Sequence, residues 1–242
     1  MSAGSVLRRT AIASATAGVA LSLVAPLAHA DTQGHCDPAA CTKPVKLTTS
    51  AYKSYLQKAR TPEASATLKA FTKLSTSQQK RFVAYLQDRD AYQGLRTNAK
   101  GDLGPGAHIT TRYNKDVEFV TDVQAVRLMD KRGTTTVRFK VAERIYDIPV
   151  TSHVLYVAFQ QKVKHGMLIH PQVRSAGTTN TNGAIAFPKG QIATVLGTGA
   201  TFTASTSTKA TGTVARFGAP VSKQQTLTIT HGGYFTAKLT NR

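Results

Sequence analysis

The chain has no tryptophan and only two cysteines in 242 residues, and from residue 148 to residue 242 it has neither aspartate nor glutamate. Roughly ten acidic residues would fall in a stretch of that length at ordinary composition. That half of the chain therefore cannot by itself supply the carboxylate pair of a glycoside hydrolase or the side-chain carboxylates of a calcium site. Any acid acting there must come from Asp116, Glu118, Asp122, Asp130, Glu143 or Asp147. The missing tryptophan removes the usual flat platform for a sugar ring, and Tyr113, Tyr146, Tyr156 and Tyr234 are what remains. No nucleophile elbow, phosphate-cradling glycine loop or His-Glu-x-x-His pair occurs. The seven histidines carry no ligand spacing, and two cysteines without a second pair make no zinc site. No catalytic residue, metal or cofactor is assigned from the sequence.

What is present begins with an export leader. Arg8 and Arg9 form a positive start, residues 11–26 an apolar core, and Ala28-His29-Ala30 a cleavage site. The chain is expected to be secreted, with residues 1–30 removed and no second hydrophobic span to anchor it. Arg8-Arg9 also partly fits a twin-arginine signal. The full chain has a formal net charge of +19. Removing Arg8 and Arg9 leaves 29 basic against 12 acidic side chains, a net charge of +17. Such an excess favours anionic partners. Cys36 and Cys41 have four residues between them, Asp37-Pro38-Ala39-Ala40, and an oxidising compartment predicts a local disulfide between them.

Residues 31–106 read as an irregular arm followed by a helical region. Tyr52, Tyr55 and Leu56 have helical spacing after Thr48 and Thr49. Thr61-Pro62-Glu63 is a helix start, and Thr76-Ser77-Gln78-Gln79 reads as a capping box with Leu74 as its staple. Phe82, Tyr85 and Leu86 mark the buried stripe of the second helix. Gly101, Gly104, Pro105 and Gly106 then break the pattern. Beyond them, in residues 107–242, the apolar period becomes alternating. Strands are predicted from Val117 toward Leu128, over 134–141 after a turn at residues 130–133, and over 150–159. A strand over 145–150 carries Pro149 and is read as an edge or a bulge. Residues 167–169 return after a turn at residues 164–166. Residues 177–183 read as a polar loop, and residues 200–204, 213–217 and 227–229 as short strands. His231-Gly232-Gly233 turns the last of these into a terminal hairpin. The expected fold is α+β: a small helical N-terminal region followed by an antiparallel β-sandwich.

The leader, the helical pattern of residues 74–88 (LSTSQQKRFVAYLQD) and a β-half closing on His231-Gly232-Gly233-Tyr234 resemble uncharacterised secreted proteins of actinomycetes. The resemblance implies a compartment and an architecture, and no activity.

Lys162, Lys164 and His165 cluster at one predicted hairpin tip, and Lys131 with Arg132 in another turn. If both tips lie at one end of the sheet pair, they form a basic patch. The expected function is a non-enzymatic binding protein engaging anionic cell-wall polymers through its basic surface. Nucleic acid is disfavoured as a partner, because export parts the protein from its own chromosome and no aromatic interleaving is present. Two alternatives stand beside it. One is a secreted hydrolase using carboxylates of the 116–147 segment, which requires Glu118, Asp122 or Glu143 in a cleft beside His153 or His170. The other is an interaction module that binds another secreted protein, which requires an exposed apolar patch.

Overall fold

The computed structural model describes residues 46–127, 133–164, 167–187, 192–196, 201–212, 220–230 and 232–242, with backbone alone at 161–164, 167–170, 192 and 208–212. Among the described residues four helices come first: α1 (Thr49–Ala59), α2 (Pro62–Thr72), α3 (Thr76–Leu86) and α4 (Arg89–Gly94). Each starts where a side chain satisfies an orphan backbone donor. The hydroxyls of Thr48 and Thr61 accept from Ala51 N and Ala64 N. The capping box of α3 is one residue earlier than the sequence frame: Ser75 accepts from Gln78 N, and Gln78 returns the bond to Ser75 N. Both frames satisfy the same pattern, and Gln79 is instead drawn to the carbonyl of Leu74 at 2.8 Å. Asp88 caps α4 through Asp90 N and Ala91 N. No helix among the described residues is long and apolar enough to cross a membrane.

Eleven strands follow among the described residues, and every pairing among them is antiparallel. They are β1 (Thr97–Asp102), β2 (Ala107–Arg112), β3 (Val117–Arg127), β4 (Thr134–Ile145), β5 (Ile148–Lys164), β6 (Met167–Asn180), β7 (Ile185–Ala186), β8 (Ile192–Leu196), β9 (Thr201–Gly212), β10 (Val221–Thr230) and β11 (Tyr234–Asn241). One sheet has the order β1-β11-β10-β9-β7, with β8 also on β9; the other has the order β2-β3-β4-β5-β6. The protein is thus α+β, with a few helices and two antiparallel sheets.

The glycine cluster carries the chain from one sheet to the other. Gly101 lies in β1, opposite Phe235 of β11. At Gly106 φ is +70°, and a Cβ there would meet the Val123 carbonyl at 2.3 Å. Only glycine fits both the torsion and the close approach. Pro149 is not on an edge strand, because β5 lies between β4 and β6. It does sit at a bulge: the β4–β5 register shifts between Glu143 and Arg144, and Arg144 faces Pro149. The ladder to β6 starts only at Thr151, so the missing proline N–H is not called on there. The expected loop at 177–183 is shorter, since Gly177 pairs with Val154 and β6 runs on to Asn180. The strand expected over 213–217 and the turn at 130–132 lie outside the described residues.

Helices and sheets share one buried cluster. Tyr52, Phe71 and Phe82 join α1, α2 and α3, with ring centroids 5.0–5.7 Å apart. The Tyr52 hydroxyl donates to the Thr181 carbonyl at 2.9 Å, tying α1 to the end of β6. Phe159 of β5 meets Phe202 of β9 edge-on at 5.5 Å, so side chains of the two sheets touch directly. Burying aromatic side chains of this size is worth about 2–3 kcal/mol each, more than the helix caps contribute.

Candidate functional site

Among the described residues three places carry chemistry. The first is interior. Along β4 the inward row runs Val137, Phe139, Val141, Glu143, Ile145, and along β10 it runs Val221, Lys223, Gln225, Leu227, Ile229. Glu143, Lys223 and Gln225 thus occupy core positions within apolar alternation. His153 of β5 pairs with Val141, one step along from the Glu143 and Thr151 pair. Glu143, His153, Lys223 and Gln225 are each only 1% exposed.

Lys223 is the best satisfied of them. Its Nζ donates to the carbonyls of Tyr92 at 2.7 Å and Leu95 at 2.8 Å, and to Asn241 Oδ1 at 2.7 Å. It also lies 4.7 Å from the centre of the Tyr92 ring. The two carbonyls belong to the C-terminal end of α4, where a cation is favoured. Burial pushes Lys223 down to about 7, Glu143 draws it up again, and Arg96 opposes that. The surrounding oxygens favour the ammonium, so amine and ammonium are both within reach near neutrality.

Burial pushes the Glu143 carboxyl up to about 7, while Thr151 and Lys223 pull it back toward the carboxylate range. Thr151 faces Glu143 closely enough to act on it but outside hydrogen-bonding geometry: neither Glu143 Oε2 nor Thr151 Oγ1 has a hydrogen-bond partner. His153 is held neutral, pushed down to about 3 by burial and then by Lys223. Its Nε2 lies 3.3 Å from the Tyr92 hydroxyl, and its ring meets Phe187 edge-on. Gln225 spans the sheets, with Nε2 donating to the carbonyls of Phe139 at 3.0 Å and His153 at 3.4 Å.

The second place is the outer face of the β1-β11-β10-β9 sheet. Cross-strand rows run Thr203, Thr228, Thr236, Lys100 and Ser205, Thr226, Lys238, Asn98. A shallow groove of about 490 Å³ crosses β10 and β11, lined by Gln224, Thr226, Thr228, Thr236, Lys238 and Thr240. It holds hydroxyls, one amide and one ammonium, and no carboxylate. The third is a groove of about 410 Å³ between α2 and the β4–β5 turn. Its floor is Ala66, Ala70, Leu74 and Ile148, and its rim is Lys69, Lys73, Tyr146 and Asp147. Tyr146 and Asp147 both have positive φ, 49° and 62°. Asp116 fixes that turn: its carbonyl accepts from Tyr146 N at 2.8 Å, and its carboxylate from the hydroxyls of Tyr146 and Tyr85 at 2.9 and 3.1 Å.

Of the sequence candidates, Lys131, Arg132 and His165 lie outside the described residues, as do Cys36 and Cys41. Lys162 and Lys164 fall at the end of β5, and their side chains lie outside the described residues too. Glu118 and Asp122 are on the outer face of β3, where Glu118 Oε1 accepts from Arg144 at 3.4 Å and Asp122 Oδ1 meets His108 Nδ1 at 2.6 Å. Glu143 and His153 are near neighbours, as the hydrolase alternative asks, but in the interior and not in a cleft. The large apolar side chains that are exposed, Ile109, Tyr113, Val126, Leu196 and Tyr234, are spread over β2, the β2–β3 turn, β3, β8 and β11. No three of His, Cys, Asp and Glu come together as metal ligands among the described residues. Sequence reading missed Lys223 and Gln225 as interior groups, although both share the parity of Val221, Leu227 and Ile229. No protein-family model, curated protein or solved structure matches the chain.

Proposed function

We propose that this is an exported, non-enzymatic binding protein that engages anionic cell-envelope polymers. Its two sheets pack face to face as a β-sandwich, and the outer face of the β1-β11-β10-β9 sheet is the contact surface. What supports the sandwich is the bridging by Gln225 and the ring contact of Phe159 with Phe202. The observation that carries the binding reading is the groove over β10 and β11. It presents Lys238 among hydroxyls and an amide, with Lys100 one strand away, on strands drawn mostly from the part of the chain that has no acidic residue. A polymer of hydroxyls and spaced negative charges complements such a face. An uncharged hydroxyl array satisfies sugar hydroxyls, and the lysines supply the long-range attraction.

The test is co-sedimentation with purified cell walls across a salt series. Binding is expected at low salt and is lost as salt rises, since exposed charges are screened beyond about 10 Å at 0.1 M. The double substitution Lys100→Glu and Lys238→Glu is expected to weaken binding at least tenfold at low salt. Undiminished binding by that variant would move the contact elsewhere. No binding by the native protein at any salt would end the proposal.

A further inference from the structure

We propose that Lys223 and Asn241 are the two halves of an intramolecular isopeptide bond that joins β10 to β11. The two residues are direct partners in the β10–β11 register. Their side chains point the same way and meet, with Lys223 Nζ 2.7 Å from Asn241 Oδ1. The end of α4 alone offers the Lys223 ammonium three carbonyls, those of Tyr92, Leu95 and, at 3.4 Å, Gln93. Nζ nevertheless makes one of its two shortest contacts to a carboxamide, an electrophile, on the neighbouring strand.

The surroundings suit the reaction. In its amine form Lys223 keeps two N–H donors and one lone pair. Loss to solvent of the proton that Nζ shares with Asn241 Oδ1 leaves the other two N–H groups on Tyr92 O at 2.7 Å and Leu95 O at 2.8 Å, and turns the lone pair toward the Asn241 carboxamide. A buried lysine is a far better nucleophile than a hydrated ammonium, and burial favours the amine at Lys223. Holding the reactants in place is worth an effective concentration of roughly 10⁵ M or more. In the step, Nζ bonds to the side-chain carbonyl carbon of Asn241, the bond from that carbon to Nδ2 breaks, and one proton passes from Nζ to Nδ2. The products are a secondary amide and one ammonia, and nothing is oxidised or reduced. Asn241 is exposed, with Nδ2 donating to the Gln93 carbonyl at 3.2 Å, so the ammonia has a direct exit to solvent.

The test is mass spectrometry of the purified full protein after reduction and denaturation, with a tryptic map. The native protein is expected to be lighter by one ammonia than its sequence requires. Lys223 and Asn241 should appear in one joined peptide pair, with no cleavage after Lys223. Succinimide formation at an asparagine also expels ammonia, so the joined pair decides. Asn241→Ala changes an exposed side chain, leaves Lys223 the carbonyls of Tyr92 and Leu95, and is expected at full mass with normal cleavage after Lys223. Asn241→Asp is expected to close by expelling water and to reach the same linked mass as the native protein. Full mass for the native protein, with Lys223 and Asn241 in separate unmodified peptides, would overturn the proposal.

Discussion

Replacing Glu143 with glutamine tests the account of the interior most directly. The side chain keeps its size and shape and loses only its ability to ionise. Glutamate has an ordinary pKa of 4.5, and burial raises that of Glu143 to about 7. The folded protein therefore holds this proton more tightly than the unfolded chain does. Its stabilising contribution is fully present below pH 4.5 and is lost as pH rises through 7. Integrated over that window the loss is about 3 kcal/mol, a large share of the stability of an ordinary domain. The attraction of Lys223 and the influence of Thr151 are already contained in this figure, because they set where the carboxyl titrates.

Glu143→Gln has no such loss. Its stability minus that of the native protein is expected to be flat below pH 4.5, to climb by about 3 kcal/mol between pH 4.5 and 7, and then to level off. The assay is urea unfolding at half-unit pH steps, read as the difference between the two proteins. Any change in packing around the carboxamide adds a constant offset, so the slope is the quantity to read. A difference that stays flat from pH 4 to 8 would refute the reasoning, because it would mean that Glu143 ionises in the fold as easily as in water.

His153 has the opposite sign: its pKa falls from 6.5 to about 3, so its contribution is present above pH 6.5 and is lost as pH falls toward 3, by roughly 5 kcal/mol in all. His153→Gln is expected to abolish that acid-side loss, and pH-dependent urea unfolding that still shows it would place the loss elsewhere. Because the two residues oppose each other between pH 4.5 and 6.5, their combined contribution in the native protein is expected to be nearly level there. Gly106→Ala forces a Cβ onto the Val123 carbonyl at positive φ and is expected to cost about 2–4 kcal/mol; a melting temperature equal to that of the native protein would contradict the close approach. Asp147→Gly relieves a left-handed torsion and is expected to stabilise by about 1 kcal/mol, visible as a higher urea midpoint; a lower midpoint would show that the Asp147 side chain holds the turn.

Local chemistry was the most legible part of the sequence. Thr48 and Thr61 announce α1 and α2 because a cap is a contact between residues three apart, and it needs nothing from the rest of the chain. Alternation from Val117 toward Leu128 and over 134–141 announces β3 and the first part of β4 for the same reason, whereas the strand expected over 145–150 is the end of β4, a turn at Tyr146 and Asp147, and the start of β5. What the sequence hides depends on distant partners. α4 has six residues, too few for a helical period to emerge. β1 reads Thr-Asn-Ala-Lys-Gly-Asp, which looks like a break until β11 pairs with it.

The interior groups fall between these cases. Glu143 was legible as a possible acid and His153 as an isolated histidine, but neither by composition as a core residue. Their place was nevertheless written in the alternation. Val141 and Ile145 share the parity of Glu143, Leu155 and Val157 that of His153, and Leu227 and Ile229 that of Lys223. A strand cannot turn one side chain outward without leaving its register, since a slip of one residue turns every other side chain as well. An ionisable residue in phase with four or five apolar ones is thus carried inside by its neighbours, at a cost in desolvation that some partner must offset. For Lys223 that partner is the end of α4 together with Asn241, and neither can be found without the fold. Parity identifies the residue that must find a partner, and the tertiary structure supplies which one it finds.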